Sequence, residues 1–266
     1  MTHEIFATFS DNLAAIRRHR PLIHNITNLV VSNITANALL ALGASPAMVE
    51  NTEEVAELAA IAGALVVNLG TVSSDLAAAM HLATRAALDA GRPWVMDPVA
   101  VGALGYRTRL ASALLVNKPA VIRGNASEIA ALAGAAGGGK GVDSTLSSAA
   151  VVDQAKQLAA RTGGVVVVSG ATDYITDGDH VVGIANGDPL MTSITGMGCT
   201  ATALIGAFLA VASTPFAAAA QAMLVMGVTG ELAMPRAEGP GSLQVAFLDL
   251  LHRLDATDVL ARARFA

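Results

Sequence analysis

Short, wholly apolar runs alternate along this chain with longer segments in which apolar positions recur every three or four residues. Runs of the first kind predict strands buried on both faces, and segments of the second kind predict helices packed against them. The strand candidates are Leu22–Ile26, Ala47–Val49, Ala64–Leu69, Trp94–Met96, Ala120–Ile122 and Val165–Ser169. Helices are expected at Leu29–Leu42, Thr52–Ala62, Ser74–Ala90, Ser127–Ala133 and Leu146–Arg161. Strict alternation of the two predicts a mostly parallel sheet with helices on both faces. One stretch breaks the rule: Asp177-Gly178 between Tyr174–Thr176 and His180–Ile184 has the composition of a hairpin. Three helices are expected to close the chain, the last at Leu243–Leu254, and no internal repeat interrupts the pattern.

The 266 residues suffice for one large α/β domain, and one domain over 1–266 is expected. The chain is 53% hydrophobic but only 3% aromatic, so Ala, Val and Leu supply most of its apolar mass. A net charge of −5 argues against nucleic acid as a partner, because phosphate backbones call for clustered Lys and Arg. A single cysteine, Cys199, rules out an internal disulfide framework and suits a reducing cytoplasm. Residues Met1–Asp11 contain Glu4 and Asp11 and no apolar core, so a signal peptide is not expected.

Between Asp188 and Glu231 no residue is charged, a length that could cross a bilayer. Ser213-Thr214-Pro215 breaks that run with a capping pair and a proline suited to the first helical position. No Lys or Arg cluster flanks it, so two buried helices of a soluble core are expected and no membrane contact.

Chemistry concentrates after the predicted strands. Thr195-Gly196-Met197-Gly198-Cys199 precedes the apolar helical run. Glycines there let another molecule approach the backbone, and free N–H groups at a helix start favour an anion such as phosphate. Such a turn also serves simple packing. The same helix end is expected to stabilise the Cys199 thiolate and lower its pKa. Asp97-Pro98 follows the Trp94–Met96 run, which places Asp97 where open α/β sheets bind ligands or, equally, at the start of a turn. In Arg123-Gly124-Asn125-Ala126-Ser127-Glu128, Asn125 and Glu128 form a capping box, and Arg123 suits a polyphosphate. Asp97 and Glu128 together suit Mg²⁺, which takes one or two carboxylates plus substrate phosphates. Ser169 adds a hydroxyl at the same edge, and His24-Asn25-Ile26-Thr27-Asn28 gathers more polar groups than a helix cap needs. Gly134–Gly141 approaches a phosphate-loop pattern but lacks the final hydroxyl and follows a helix, so it reads as a surface connection. As a set, these residues suit Mg-dependent phosphoryl transfer.

In order and wording, His24–Asn28, Gly43–Met48, Asp97-Pro98-Val99, Arg123–Ile129 and Thr195–Cys199 resemble the hydroxyethylthiazole kinases of thiamine salvage, a branch of the ribokinase-like fold. The resemblance spans essentially the whole chain. It implies a three-layer fold, trimers, and phosphorylation of the hydroxyl of 4-methyl-5-(2-hydroxyethyl)thiazole with ATP and Mg²⁺. It also implies that Met48, Asn25, Gly196 and Gly198 meet the thiazole, that Arg123, Ser169 and Asn125 bind ATP, and that Asp97 and Glu128 serve magnesium. Cys199 stands where related sugar kinases carry an aspartate as base, and so becomes the catalytic candidate. Two positions depart from the family pattern: Met197 replaces a threonine, and Ala100 replaces a glycine. The rivals are a pyrimidine-alcohol or sugar kinase of the same fold, a thiol hydrolase using Cys199 with His24, and a nucleotide-binding module without catalysis.

Overall fold

The computed structural model describes residues 2–134 and 147–266. Its centre is an eight-stranded sheet in the order β2-β1-β3-β4-β5-β6-β7-β8. The strands are β1 (Leu22–Ile26), β2 (Ser45–Ala47), β3 (Ala64–Asn68), β4 (Trp94–Asp97), β5 (Val121–Asn125), β6 (Val165–Ser169), β7 (Asp173–Thr176) and β8 (Val181–Ile184). All pairings from β2 to β6 are parallel, whereas β7 and β8 run antiparallel and form the expected hairpin, with Gly178 at φ +104°.

Helices cover both faces. One face carries α1 (Thr2–Ala7), α2 (Phe9–His19), α3 (Ser32–Leu42), α9 (Met197–Leu209), α10 (Pro215–Ala233), α11 (Pro240–Arg253) and α12 (Ala256–Arg262). The other carries α4 (Val55–Ile61), α5 (Ser74–Asp89), α6 (Gly105–Leu114), α7 (Ala126–Ala133) and α8 (Val152–Thr162). Successive side chains of a strand alternate between faces. Ala64 and Val66 of β3 accordingly enter the first core while Leu65 and Val67 enter the second. Full burial on both sides is the reason these strands read as unbroken apolar runs. Trp94 is buried and gives its indole N–H to the Asn117 carbonyl at 2.7 Å, which satisfies the one polar atom it takes inside.

The sequence pattern missed some elements. Helices α1, α2 and α6 were not expected, and four helices close the chain where three were expected, α12 being the addition. The segment expected as helix from Leu29 begins at Ser32; Leu29–Val31 form a turn, and Leu29 and Val30 point to solvent, where apolar periodicity carries no packing information. The second strand is Ser45–Ala47, earlier than expected, because it pairs with β1 through Leu22↔Ser45 and His24↔Ala47. The helix expected from Leu146 consists of a 3-10 turn at Ser148–Val151 followed by α8, and its first residue lies outside the described residues. All of the Gly134–Gly141 surface connection beyond Gly134 lies outside them as well. Thr214 caps α10 and Pro215 starts it, as expected. This helix and the turn that follows, Pro215–Arg236, are long and apolar enough to cross a membrane, but the window is 89% buried inside the protein.

The order β2-β1-β3 places a reversal of strand order between β1 and β3. The crossover from β1 to β2 uses α3 on one face, and that from β2 to β3 uses α4 on the other. Open α/β sheets bind ligands outside the carboxyl ends of the strands at such a point.

Candidate active site at the carboxyl edge of the sheet

Side chains from distant parts of the chain meet at that edge. Asp97 ends β4, is buried, and accepts hydrogen bonds at Oδ2 from Asn68 Nδ2 and Thr202 Oγ1, both at 2.8 Å. Arg123, on β5, brings Nη1 within 4.0 Å of the same oxygen. Its Nη2 donates to Ser169 Oγ at 2.8 Å, and Ser169 in turn donates to the Gly124 carbonyl at 3.2 Å. The Arg123 Nε is buried with no protein partner.

The glycine turn lies directly over this guanidinium. Gly196 takes φ +87° as the residue before α9, a conformation that L side chains rarely adopt. A β-carbon on Gly198 would lie 2.7 Å from Arg123 Nη1. Gly198 therefore makes room for a cation beside the N-terminus of α9, and the two positive features converge on one small region.

Glu128 and Asn125 form the expected capping box of α7, with Asn125 Oδ1 accepting the Glu128 N–H at 3.0 Å and Glu128 Oε2 accepting the Asn125 N–H at 2.9 Å. The other oxygen of Glu128 accepts the Ala100 N–H at 2.9 Å, a contact no local pattern announces. Burial, and then the charge of Asp97, push the Glu128 carboxyl up to about 7. Burial likewise raises Asp97, against the opposing pull of Arg123, Thr202, Asn68 and Cys199. Two carboxyls held toward their neutral forms are a pair that a dication would ionise. Among the described residues no three His, Cys, Asp or Glu side chains gather as a metal cage. The donor set therefore fits Mg²⁺ completed by water and phosphate oxygens, the usual arrangement for that ion.

Cys199 is half-buried in the first turn of α9, and its sulfur accepts from Asn68 Nδ2 at 3.2 Å and Asn28 Nδ2 at 3.8 Å. The expectation of a lowered thiol pKa is wrong here: burial and then the charge of Asp97 push it up to about 12. Helix N-termini stabilise thiolates by a modest amount, which desolvation beside a carboxylate exceeds. Burial and the Asp97 charge both favour the protonated thiol at neutral pH.

Sequence reasoning missed Asn68 and Thr202. The signal for Asn68 was present, a lone amide at the end of the apolar run Ala64–Leu69. Thr202 lies inside an unbroken apolar helix and gave none. Asp173 was also missed; it is buried, accepts the Gly170 N–H at 3.0 Å, and is pushed up to about 6 by burial.

A cavity of about 170 Å³ adjoins this cluster through Asn28. Asn25, Thr27, Ser32, Met48 and Glu50 line it, so Met48 and Asn25 share a pocket, whereas Gly196 and Gly198 are not among its lining residues. The Asn25 amide donates to the Ile23 carbonyl at 2.8 Å, while its Oδ1 is buried with no protein partner. His24 binds the Val49 carbonyl through Nε2 at 2.8 Å on the loop after Met48. Its partner is a backbone carbonyl, and those of Cys199 are the amides of Asn68 and Asn28 and the Asp97 carboxyl, so the Cys–His pair of a thiol hydrolase is not assembled.

The model of the hydroxyethylthiazole kinase family matches residues 13–257. A hydroxyethylthiazole kinase of Granulibacter bethesdensis is 62% identical over 253 residues, 95% of this chain and 92% of that one. One from Nitratidesulfovibrio vulgaris is 53% identical over 249 residues, 93% of each. Among solved structures, a hydroxyethylthiazole kinase protein from Pyrococcus horikoshii OT3 superposes with a TM-score of 0.90 at 38% identity over 98% of both chains. A ribokinase-like superfamily protein from Enterococcus faecalis, at 14% identity and a TM-score of 0.62, shares the fold.

Proposed function

This chain belongs to the hydroxyethylthiazole kinase family, and from that premise we infer that it transfers a phosphoryl group from ATP to the hydroxyl of 4-methyl-5-(2-hydroxyethyl)thiazole, in the service of thiamine biosynthesis. The observation that carries the site assignment is the seat of the Arg123 guanidinium against Gly198, at the N-terminus of α9 and beside Asp97. Phosphoryl transfer asks for positioning and charge neutralisation more than for covalent help from the protein.

In this reading Arg123, Ser169 and the α9 N-terminus take the ATP phosphates, with Asn125 close by on β5. The unpartnered Arg123 Nε and the small Gly198 favour a phosphate there. Asp97 and Glu128 would hold Mg²⁺ through water and phosphate oxygens, and the ion would neutralise charge on the transferring group. Met48, Asn25 and Gly196 hold the thiazole, and the orphaned Asn25 Oδ1 offers it an acceptor. The new bond joins the substrate oxygen to phosphorus as the bond from phosphorus to the ADP oxygen breaks, and the hydroxyl proton is released to solvent. Cys199 stands beside that hydroxyl as a neutral thiol and forms no covalent intermediate.

One coupled assay tests this: release of ADP with thiazole, pyrimidine and sugar alcohols in turn. The thiazole alcohol gives the highest kcat/KM. A pyrimidine or sugar alcohol turned over better would overturn the substrate while leaving the kinase fold. ATP consumption that no alcohol stimulates would leave only a nucleotide-binding module.

A homotrimeric cytoplasmic enzyme accords with this reading. Leu29, which lines the pocket, and its neighbour Val30 are 79% and 62% exposed, a wet apolar rim that a second subunit would cover. A monomer in sedimentation at micromolar concentration would refute the trimer.

A further inference from the structure

Asn68 makes four hydrogen bonds and is buried. Its Oδ1 accepts the Gly70 N–H at 2.9 Å and Asn28 Nδ2 at 2.8 Å, and its Nδ2 donates to Asp97 Oδ2 at 2.8 Å and Cys199 Sγ at 3.2 Å. An asparagine amide offers two donors and two acceptor sites, so this one is saturated. Its orientation is not a free choice. A backbone N–H only donates, so Gly70 requires the oxygen on its side and the NH₂ on the side of Asp97 and Cys199.

That fixes the placement of both partners. Asp97 Oδ2 receives the Asn68 amide and lies 2.8 Å from the Thr202 hydroxyl, so its carboxyl group is held from two sides. The Cys199 sulfur receives Asn68, so its hydrogen is turned elsewhere, and Asp97 is the group it bonds. A β-carbon on Gly70 would lie 2.7 Å from Asn28 Nδ2, so the support behind Asn68 is itself closely fitted.

We propose that Asn68 is a positioning residue for the phosphoryl transfer: its amide fixes the Asp97 carboxylate and the Cys199 thiol in one arrangement at the point where substrate hydroxyl and phosphate meet. Asn68 touches neither substrate and acts through those two side chains. The proposal rests on the kinase reading above. A wild-type protein without alcohol-dependent kinase activity would defeat that reading, whereas the outcomes below, read in active wild-type protein, concern Asn68 alone.

Two variants and one spectrum test it. Asn68→Asp keeps the shape but turns an oxygen toward Asp97 and Cys199. Asn68→Ser is smaller and gives one hydrogen, enough for Asp97 or Cys199 but not both. The expected result is a fall in kcat of about 100-fold for Asn68→Asp and about 10-fold for Asn68→Ser, the scale of small misplacements at a reacting centre. KM for ATP and for the alcohol stays within about threefold, because neither ligand is touched. Cys199 is the only thiol in the chain, so the S–H stretching band in the Raman spectrum reports its surroundings alone. In the wild type that band lies at the frequency of a hydrogen-bonded thiol, and it shifts in Asn68→Asp. Unchanged kcat in a folded variant, or a rise in KM with kcat intact, would overturn the proposal. Should neither variant fold, a free-thiol band in the wild type would overturn it and a hydrogen-bonded one would support it.

Discussion

Glu128 Oε1 accepts the backbone N–H of Ala100 at 2.9 Å, and Ala100 holds φ +62° in order to present it. An L residue pays roughly 1–2 kcal/mol for the left-handed region, which explains why glycine suits this position. Glycine would relieve that strain but forfeit a buried methyl and add backbone entropy. Ala100→Gly is therefore expected to leave stability unchanged or raise it by up to about 1 kcal/mol, whereas Ala100→Val lowers it by about 2 kcal/mol or more. Urea unfolding of both variants checks this.

Glu128→Gln turns one amide NH₂ against a backbone N–H, because both carboxylate oxygens already accept one. Stability falls by about 1–3 kcal/mol, the scale of a buried donor left unmet. A cap alone predicts no more than that. A magnesium role further predicts a rise in the Mg²⁺ concentration needed for half-maximal rate, measured below the variant's melting temperature. Equal magnesium curves for variant and wild type would reduce Glu128 to its capping and loop contacts.

Arg123→Ala weakens ATP by about 10- to 100-fold, since charge-assisted bonds to phosphate contribute roughly 1.5–3 kcal/mol each. Binding of the thiazole alcohol is little affected. Gly198→Ala reaches the same end with the arginine still present, because the new methyl displaces the far end of a flexible side chain 2.7 Å away. Titration calorimetry with a non-hydrolysable ATP analogue separates the two ligands, and a larger loss for the thiazole would contradict the role given to Arg123.

The Cys199 thiol, pushed up to about 12, is almost wholly protonated at pH 8. Alkylation by iodoacetamide is expected to run about 1,000-fold slower than for an unperturbed thiol, judged from the thiolate fractions alone. Cys199→Ala lowers kcat but leaves measurable turnover, because the phosphate contacts persist. Rapid alkylation, or a phosphorylated Cys199 found during turnover, would contradict this.

Asp173 titrates at about 6 in the folded protein against an ordinary 3.8. On raising the pH the unfolded chain loses this proton first, so the folded state is favoured below about pH 4 and loses that advantage by about pH 6. Asp173→Asn does not titrate and keeps an oxygen for the Gly170 N–H. The stability of wild type relative to this variant is expected to fall between pH 4 and pH 6 and to level off above, as followed by denaturant titration at each pH. A difference independent of pH would show that Asp173 has its ordinary pKa.

Short-range features were legible in the sequence because the forces that set them act within a few residues. The strands β1 and β6 occupy the expected residues, and the capping box Asn125/Glu128 and the Thr214-Pro215 helix start are bonds between near neighbours. The motif order was enough to indicate the family and the strand ends that carry chemistry. Tertiary structure alone decided what those residues are like once gathered. Asn68 reaches Cys199 across 131 positions and Asp97 meets Thr202 across 105, distances over which no periodicity carries information. The thiol was misjudged for the same reason. A helix end can be read from the chain, but the burial and the neighbouring carboxylate that outweigh it exist only after the sheet has brought β3, β4 and α9 together.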